Sequence, residues 1–180
     1  MRTPDFNESL LCEHVDQVDS VDVKRAAATL TQHAERAIDI QCGPGMQGVI
    51  RTFGYHVDGE RAFAFIFNKT SLLFYVRKPA LAWITTGPVI EAARGARQLD
   101  IASNAAGEIT VRVISPAQAK RVNETLIDPI VDAHSRRTSI IRTNMVTPMI
   151  GPIYRPAALV RQGGVAQFSD RYVRQDNGSH

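Results

Sequence analysis

Asp58 and Glu60 are the carboxylate pair whose spacing comes closest to hydrolytic chemistry. A restriction-type nuclease places an acidic residue and then Glu-x-Lys on adjacent strands, so that two carboxylates hold a metal while the lysine steadies the attacking water. Here Glu60 is followed by Arg61 and Ala62, so the lysine is missing. His14, His33, His56, His134 and His180 form no HxH, HxxxH or HExxH spacing for a metal. Ser71, Ser103, Ser115 and Ser139 lack the G-x-S-x-G setting of an activated nucleophile. Cys42 could pair with His56 as nucleophile and base, yet it sits in a Gly/Pro stretch that reads more simply as a turn. Gly43, Gly45 and Gly48 are irregular for G-x-G-x-x-G and precede a strand, which argues against a dinucleotide cradle. No catalytic residue, metal ligand or cofactor is expected, and an enzyme whose site assembles only in space is the least favoured reading.

Binding chemistry is better supplied. Tyr75, Arg77, Lys78 and Lys69 place an aromatic and cations near what reads as one sheet edge, and such a mixture can stack bases and hold phosphates. The plainer alternative packs Tyr75 under a helix and leaves Lys69 as a turn residue. From residue 134 onward, Arg136, Arg137, Arg142, Arg155, Arg161, Arg171 and Arg174 face only Asp170 and Asp176, whereas residues 1–22 carry six carboxylates against Arg2. A basic arm of this kind is an electrostatic footprint for phosphate backbones. Arginine also outnumbers lysine 17 to 4 along the whole chain, so a general bias accounts for part of it. The expected nucleic-acid contacts are Lys69, Tyr75, Arg77, Lys78, Arg136, Arg137, Arg142, Arg155 and Arg161.

The elements that would position these residues follow from periodicity. Residues 49–78 read as three consecutive antiparallel strands: Phe63, Phe65 and Phe67 alternate with Ala62, Ala64 and Ile66, and Leu72, Phe74 and Val76 alternate with Leu73, Tyr75 and Arg77. Asp58-Gly59 marks the first tight turn, and Lys78-Pro79 stops the third strand. Ahead of this ladder, helices are predicted over 6–18 and 21–40, the second capped by Asp19 or Ser20 and ended by Cys42-Gly43-Pro44-Gly45. Behind it come an ambiguous stretch over 80–96, a weak strand near 98–102, and a stronger one near 108–115. Ser115-Pro116 then starts a helix with a possible bend at Pro129. Beyond Arg137 apolar residues mix with spaced proline and glycine, unlike a solvated linker.

Composition sets the frame for these elements. With 180 residues, 44% hydrophobic and 22% charged, the chain is about one domain's worth of soluble protein. No apolar run approaches the roughly 20 residues of a membrane span. The first residues lack the apolar core of a signal peptide. A cytoplasmic location with Cys12 and Cys42 as free thiols is expected.

The segments FAFIFNKTSLLFYVRK (63–78) and GEITVRVISPAQAKRVNETLI (107–127), with a strand running into a serine-capped helix, carry a resemblance. Their order resembles small bacterial domains, among them the YdhG-like domains and domains appended to restriction-type nucleases. RTFGYHVDGERAFAFIF (51–67) is similar to the start of the TfoX N-terminal domain. The resemblance covers roughly residues 20–135. Where the nuclease-associated domains carry a Gly-aromatic-Gly loop, this chain has Asn104-Ala105-Ala106-Gly107. These families imply accessory roles near nucleic acid or regulatory complexes.

The expected architecture is α+β: a four-stranded, mainly antiparallel sheet, made of a three-strand meander plus one strand and backed by helices, with an irregular C-terminal arm. The expected organisation is an acidic N-terminal helix (1–19), a core domain (20–137) and a basic, apolar arm (138–180). The expected function is a non-catalytic binding or accessory module that associates with DNA or RNA, or with a nucleic-acid-processing partner. The alternative is a homo-oligomeric interaction subunit, a homodimer through an exchanged arm.

Overall fold

Asn7 and Ser20 open the first two helices. The Asn7 side chain accepts from the Leu10 amide at the head of α1 (Glu8–Asp16), and Ser20 accepts from the Val23 amide at the head of α2 (Val21–Arg36). Each such cap is worth about 1 kcal/mol. Val23, Ala27, Leu30 and Ala34 follow at helical steps, so α2 buries one continuous stripe. The computed structural model describes residues 1–95 and 99–145, with Thr86 and residues 141–145 as backbone only, and all of these belong to one unit, Met1–Val146.

The sheet has six antiparallel strands, β1 (Gln41–Gln47), β2 (Ile50–Val57), β3 (Glu60–Asn68), β4 (Ser71–Val76), β5 (Asp100–Ser103) and β6 (Ile109–Val113), in the order β1-β2-β3-β4-β6-β5. This corrects the expected four-stranded sheet, while the α+β class stands. Both uncounted strands lie at the sheet edges, where sequence signals are weakest. In β1 the Gly/Pro stretch read as a turn is extended from Gln41 opposite His56 to Gln47 opposite Ile50. Pro44 is tolerated because an edge strand needs hydrogen bonds on one side only. The outer side of β1 is partly covered as well: Thr3 donates to the Cys42 carbonyl at 2.9 Å and Cys42 donates to that of Met1 at 3.0 Å. A Cβ on Gly43 would lie 2.7 Å from Thr3 Oγ1, so this close pairing requires glycine. At the other edge β5, four residues long with only Ile101 partly buried, is the weak strand expected near 98–102, which the four-strand count left out.

Between β2 and β3, Asp58 (φ 50°) and Gly59 (φ 81°) both adopt the left-handed backbone that a two-residue hairpin turn demands. Pro79 ends β4 and falls in the first turn of the short helix α3 (Lys78–Ala82), which is followed by α4 (Thr86–Gly95). Ser115 caps α5 (Pro116–Val122), which passes through a π-helical turn, Asn123–Ile127, into α6 (Asp128–Met145). The bend anticipated at Pro129 takes the form of this wider turn just before it, where proline already withholds an amide from the helical ladder. Helix α6 runs across residue 137, where the core was expected to end. The expected arm beyond residue 145, and with it the exchanged-arm dimer, lies outside the described residues.

One face of the sheet carries the core. Phe53, Tyr55, Phe63, Phe65 and Phe74 are fully buried there, with Phe53 and Phe65 stacked at 5.4 Å and Phe63 and Phe74 at 6.1 Å. Val23, Ala27 and Leu30 of α2, Val122 of α5 and Ile130 of α6 close over them. Burial of each large ring is worth roughly 1.5–3 kcal/mol, which makes this aromatic row the main determinant of the fold.

Candidate anion-binding groove on the open sheet face

Cross-strand pairing defines the other face. Thr52 lies opposite Ile66, Gly54 opposite Ala64, Ala64 opposite Tyr75 and Tyr75 opposite Thr110, and paired residues share a face. Strict alternation along β3 would send Arg61 to the core side with Phe63 and Phe65. A bulge prevents it: the register runs Tyr55 opposite Phe63 and then His56 opposite Arg61, leaving Ala62 as the extra residue. A bulge re-aims side chains in this way. Arg61 is thereby delivered to the open face, where its Nη2 donates to Thr52 Oγ1 at 3.1 Å and Thr52 donates to the Gly45 carbonyl at 3.2 Å.

Gly54 makes room for this arginine. A Cβ there would lie 3.1 Å from Arg61 Nε and 3.3 Å from a His56 ring carbon. Arg61 Nε is buried without an acceptor, and so is His56 Nδ1 without a partner. Burial, and then Arg77, lowers the pKa of Arg61, and burial followed by Arg61 lowers that of His56. Arginine stays charged regardless, whereas His56 is held neutral at neutral pH.

Arg77 has a different electrostatic situation. Its Nε donates to Glu108 Oε1, while the Asn104 amide donates to Glu108 Oε2 at 3.2 Å and Glu108 N donates to Asn104 Oδ1 at 2.9 Å. Both carboxylate oxygens are thus occupied. Arg61 forms no ion pair among the described residues; Glu108 favours its charge only from beyond ion-pair distance. Burial, then Glu108, raises the Tyr75 pKa and keeps its phenol protonated. Gln47, Ile50, Thr52, Arg61, Ala64, Ile66, Tyr75, Arg77 and Glu108 line a groove of about 330 Å³, polar at the arginines and apolar at the two isoleucines and the tyrosine ring. It is suited to a ligand with one anionic group and one flat apolar part.

The residues expected to bind nucleic acid do not form one surface. Tyr75 and Arg77 meet in the groove. Tyr75 lies on β4, between β3 and β6, and Arg77 directly follows that strand with its amide donating to the Ala62 carbonyl of β3 at 2.9 Å, so they sit within the sheet and not near its edge. Lys78 is exposed at the start of α3, and Lys69 is exposed in the turn at the other end of β4, its carbonyl accepting from the Asp19 amide at 2.8 Å. At ~3.3 Å per residue the strand separates them by about 20 Å. Arg136 and Arg137 are exposed on α6, and Arg137 Nη1 donates to the Ala82 and Trp83 carbonyls at 3.1 Å, closing the end of α3. Of Arg142 only the backbone is described, and Arg155 and Arg161 lie outside the described residues. Arg61, Thr52, Gly54 and Glu108 were not anticipated. The signal that could have found Arg61 is an arginine at a position where alternation requires an apolar residue.

The other chemistry weighed from sequence is dispersed. Cys42 is fully buried, donates to the Met1 carbonyl, and has its thiol pKa pushed up to about 11 by burial. It does not act with His56, which lies on the opposite face. Asp58 pairs with His134 at 2.7 Å, and together with Asp39 and Ser135 they line a smaller cleft of about 260 Å³. Among the described residues no group of three or more His, Cys, Asp or Glu is placed to hold a metal ion, and no helix is long and apolar enough to cross a membrane.

No family model, curated protein or solved structure matches the chain. The groove therefore carries the functional reading.

Proposed function

We propose that this chain is a binding module that engages nucleic acid through the open face of its sheet. The observation that supports the reading is Arg61, a half-buried guanidinium fixed by Thr52, with no direct ion pair, in a groove shared with Tyr75. A phosphate oxygen supplies the direct ion pair that Arg61 lacks, and a base supplies a π-face for the tyrosine ring. No lysine is needed at this point, because arginine matches phosphate oxygens in a fixed plane.

Fluorescence anisotropy with labelled mixed-sequence single-stranded DNA and RNA, at low and at moderate salt, tests the proposal. Arg61→Gln is expected to weaken binding by roughly ten- to a hundredfold, the scale of one lost charge-assisted hydrogen-bonding group, with an unchanged circular dichroism spectrum. Equal affinities for the two proteins, or no binding by the native one, would remove the groove from consideration.

A further inference from the structure

We infer that the groove takes a single terminal phosphate monoester with its adjoining nucleoside, and not a run of backbone phosphates; the inference rests on the proposal that the groove engages nucleic acid. Three observations point the same way. First, the groove supplies one cation outside an ion pair. Arg77 is spent on Glu108, so the three charges of the group leave a net of one positive charge, seated at Arg61. A monoester terminus carries close to two negative charges, whereas an internal phosphodiester carries one, so a single guanidinium gains more from the terminus.

Second, Glu108 lines the same groove and is paired with Arg77, so the groove holds no second free cation for a following phosphate. Of the cations outside the groove, Arg112 is exposed on the same face opposite Leu73 but does not line the groove, Lys69 lies at the far end of β4, and Arg137 is occupied at the end of α3. Third, at about 330 Å³ the space matches one nucleotide and lies at the small end of ligand pockets, which run from ~300 to 1,000 Å³. With the phosphate at Arg61, the base falls against Tyr75 and Ile66. A free nucleotide and the end of a strand share this chemistry.

The test is titration calorimetry with five probes on the native chain: decanucleotides bearing a 5′-phosphate, a 3′-phosphate or only hydroxyl ends, adenosine monophosphate, and inorganic phosphate. One of the two phosphorylated decanucleotides is expected to bind about tenfold tighter or more than the hydroxyl-ended one. That advantage should disappear in Arg61→Gln. Its logarithm should fall with that of salt with a slope of about −0.7 to −1.4, one or two ion contacts on a single strand. Adenosine monophosphate binding as tightly as the better decanucleotide supports the inference with a free nucleotide as source, and weaker binding supports it with a strand end.

Equal binding of all three decanucleotides overturns the inference yet leaves nucleic-acid binding by the groove intact, provided Arg61→Gln weakens all three. Inorganic phosphate binding as tightly as the nucleotide also overturns it, because no nucleoside is then read. If no probe binds, the inference and the reading it rests on both fail. The comparison of strand ends is made on the native chain and does not depend on a variant folding.

Discussion

Arg61 owes its position to neighbours that are small or polar. Gly54 yields the space, Thr52 fixes one nitrogen, and the bulge at Ala62 chooses the face. Gly54→Ala would place a methyl 3.1 Å from Arg61 Nε. The flexible side chain can shift, so the fold is expected to survive while ligand affinity falls by about 1 kcal/mol, or roughly fivefold, measured by anisotropy alongside thermal melting. Unchanged affinity would show that the exact seat of the guanidinium does not matter.

A second residue-scale prediction concerns protons. His14 is fully buried, its Nε2 hydrogen-bonds the Gly45 carbonyl at 3.0 Å, and its Nδ1 has no partner. A carbonyl only accepts, so Nε2 carries the proton. Burial lowers the pKa of both His14 and His56 below the ordinary 6.5. A depressed folded-state value means that the unfolded chain takes up protons first, so the stability these groups contribute is present above pH 6.5 and is lost as pH falls through the folded values. Urea midpoints should be lower at about pH 5 than at about pH 7, and less so in His14→Gln. A midpoint higher at the acidic end would contradict the assignment.

At the scale of elements, the centre of the sheet was legible and its margins were not. Phe63, Phe65, Phe67, Leu72, Phe74 and Val76 announce two buried strands because each second side chain must enter the core. Gln41–Gln47 did not announce β1, since Gly43, Pro44 and Gly45 are turn formers that an edge strand happens to tolerate. Tyr75 and Arg77 could be found from their own strand, but Glu108 joins Arg77 across 31 positions of sequence and no local pattern reveals that pairing. The same distinction separates a binding arginine from a structural one. Arg137 donates to two carbonyls at the end of α3, so Arg137→Ala should cost about 0.5–1.5 kcal/mol of stability with nucleic-acid affinity unchanged. A loss of affinity without a loss of stability would return Arg137 to the binding surface.

For the whole molecule, charge is a poor guide to where a ligand sits. The chain is +3 overall, with acidic residues concentrated in 1–22 and arginines after 134, yet the half-buried arginine without an ion pair lies in the middle of the sheet. What matters is which charges remain without partners after folding. Helices cover the aromatic face, and the opposite face is left to present Thr52, Arg61, Tyr75 and Arg77 together.

The central claim is that this face binds the ligand, and the most direct measurement is a nuclear magnetic resonance titration of the labelled full-length chain with a short single-stranded oligonucleotide. The account predicts that amide and side-chain shifts concentrate at Thr52, Gly54, Arg61, Ala64, Tyr75 and Glu108, with the Arg61 Nε resonance moving most. Shifts confined to α6 and the residues beyond it, with the groove silent, would contradict it.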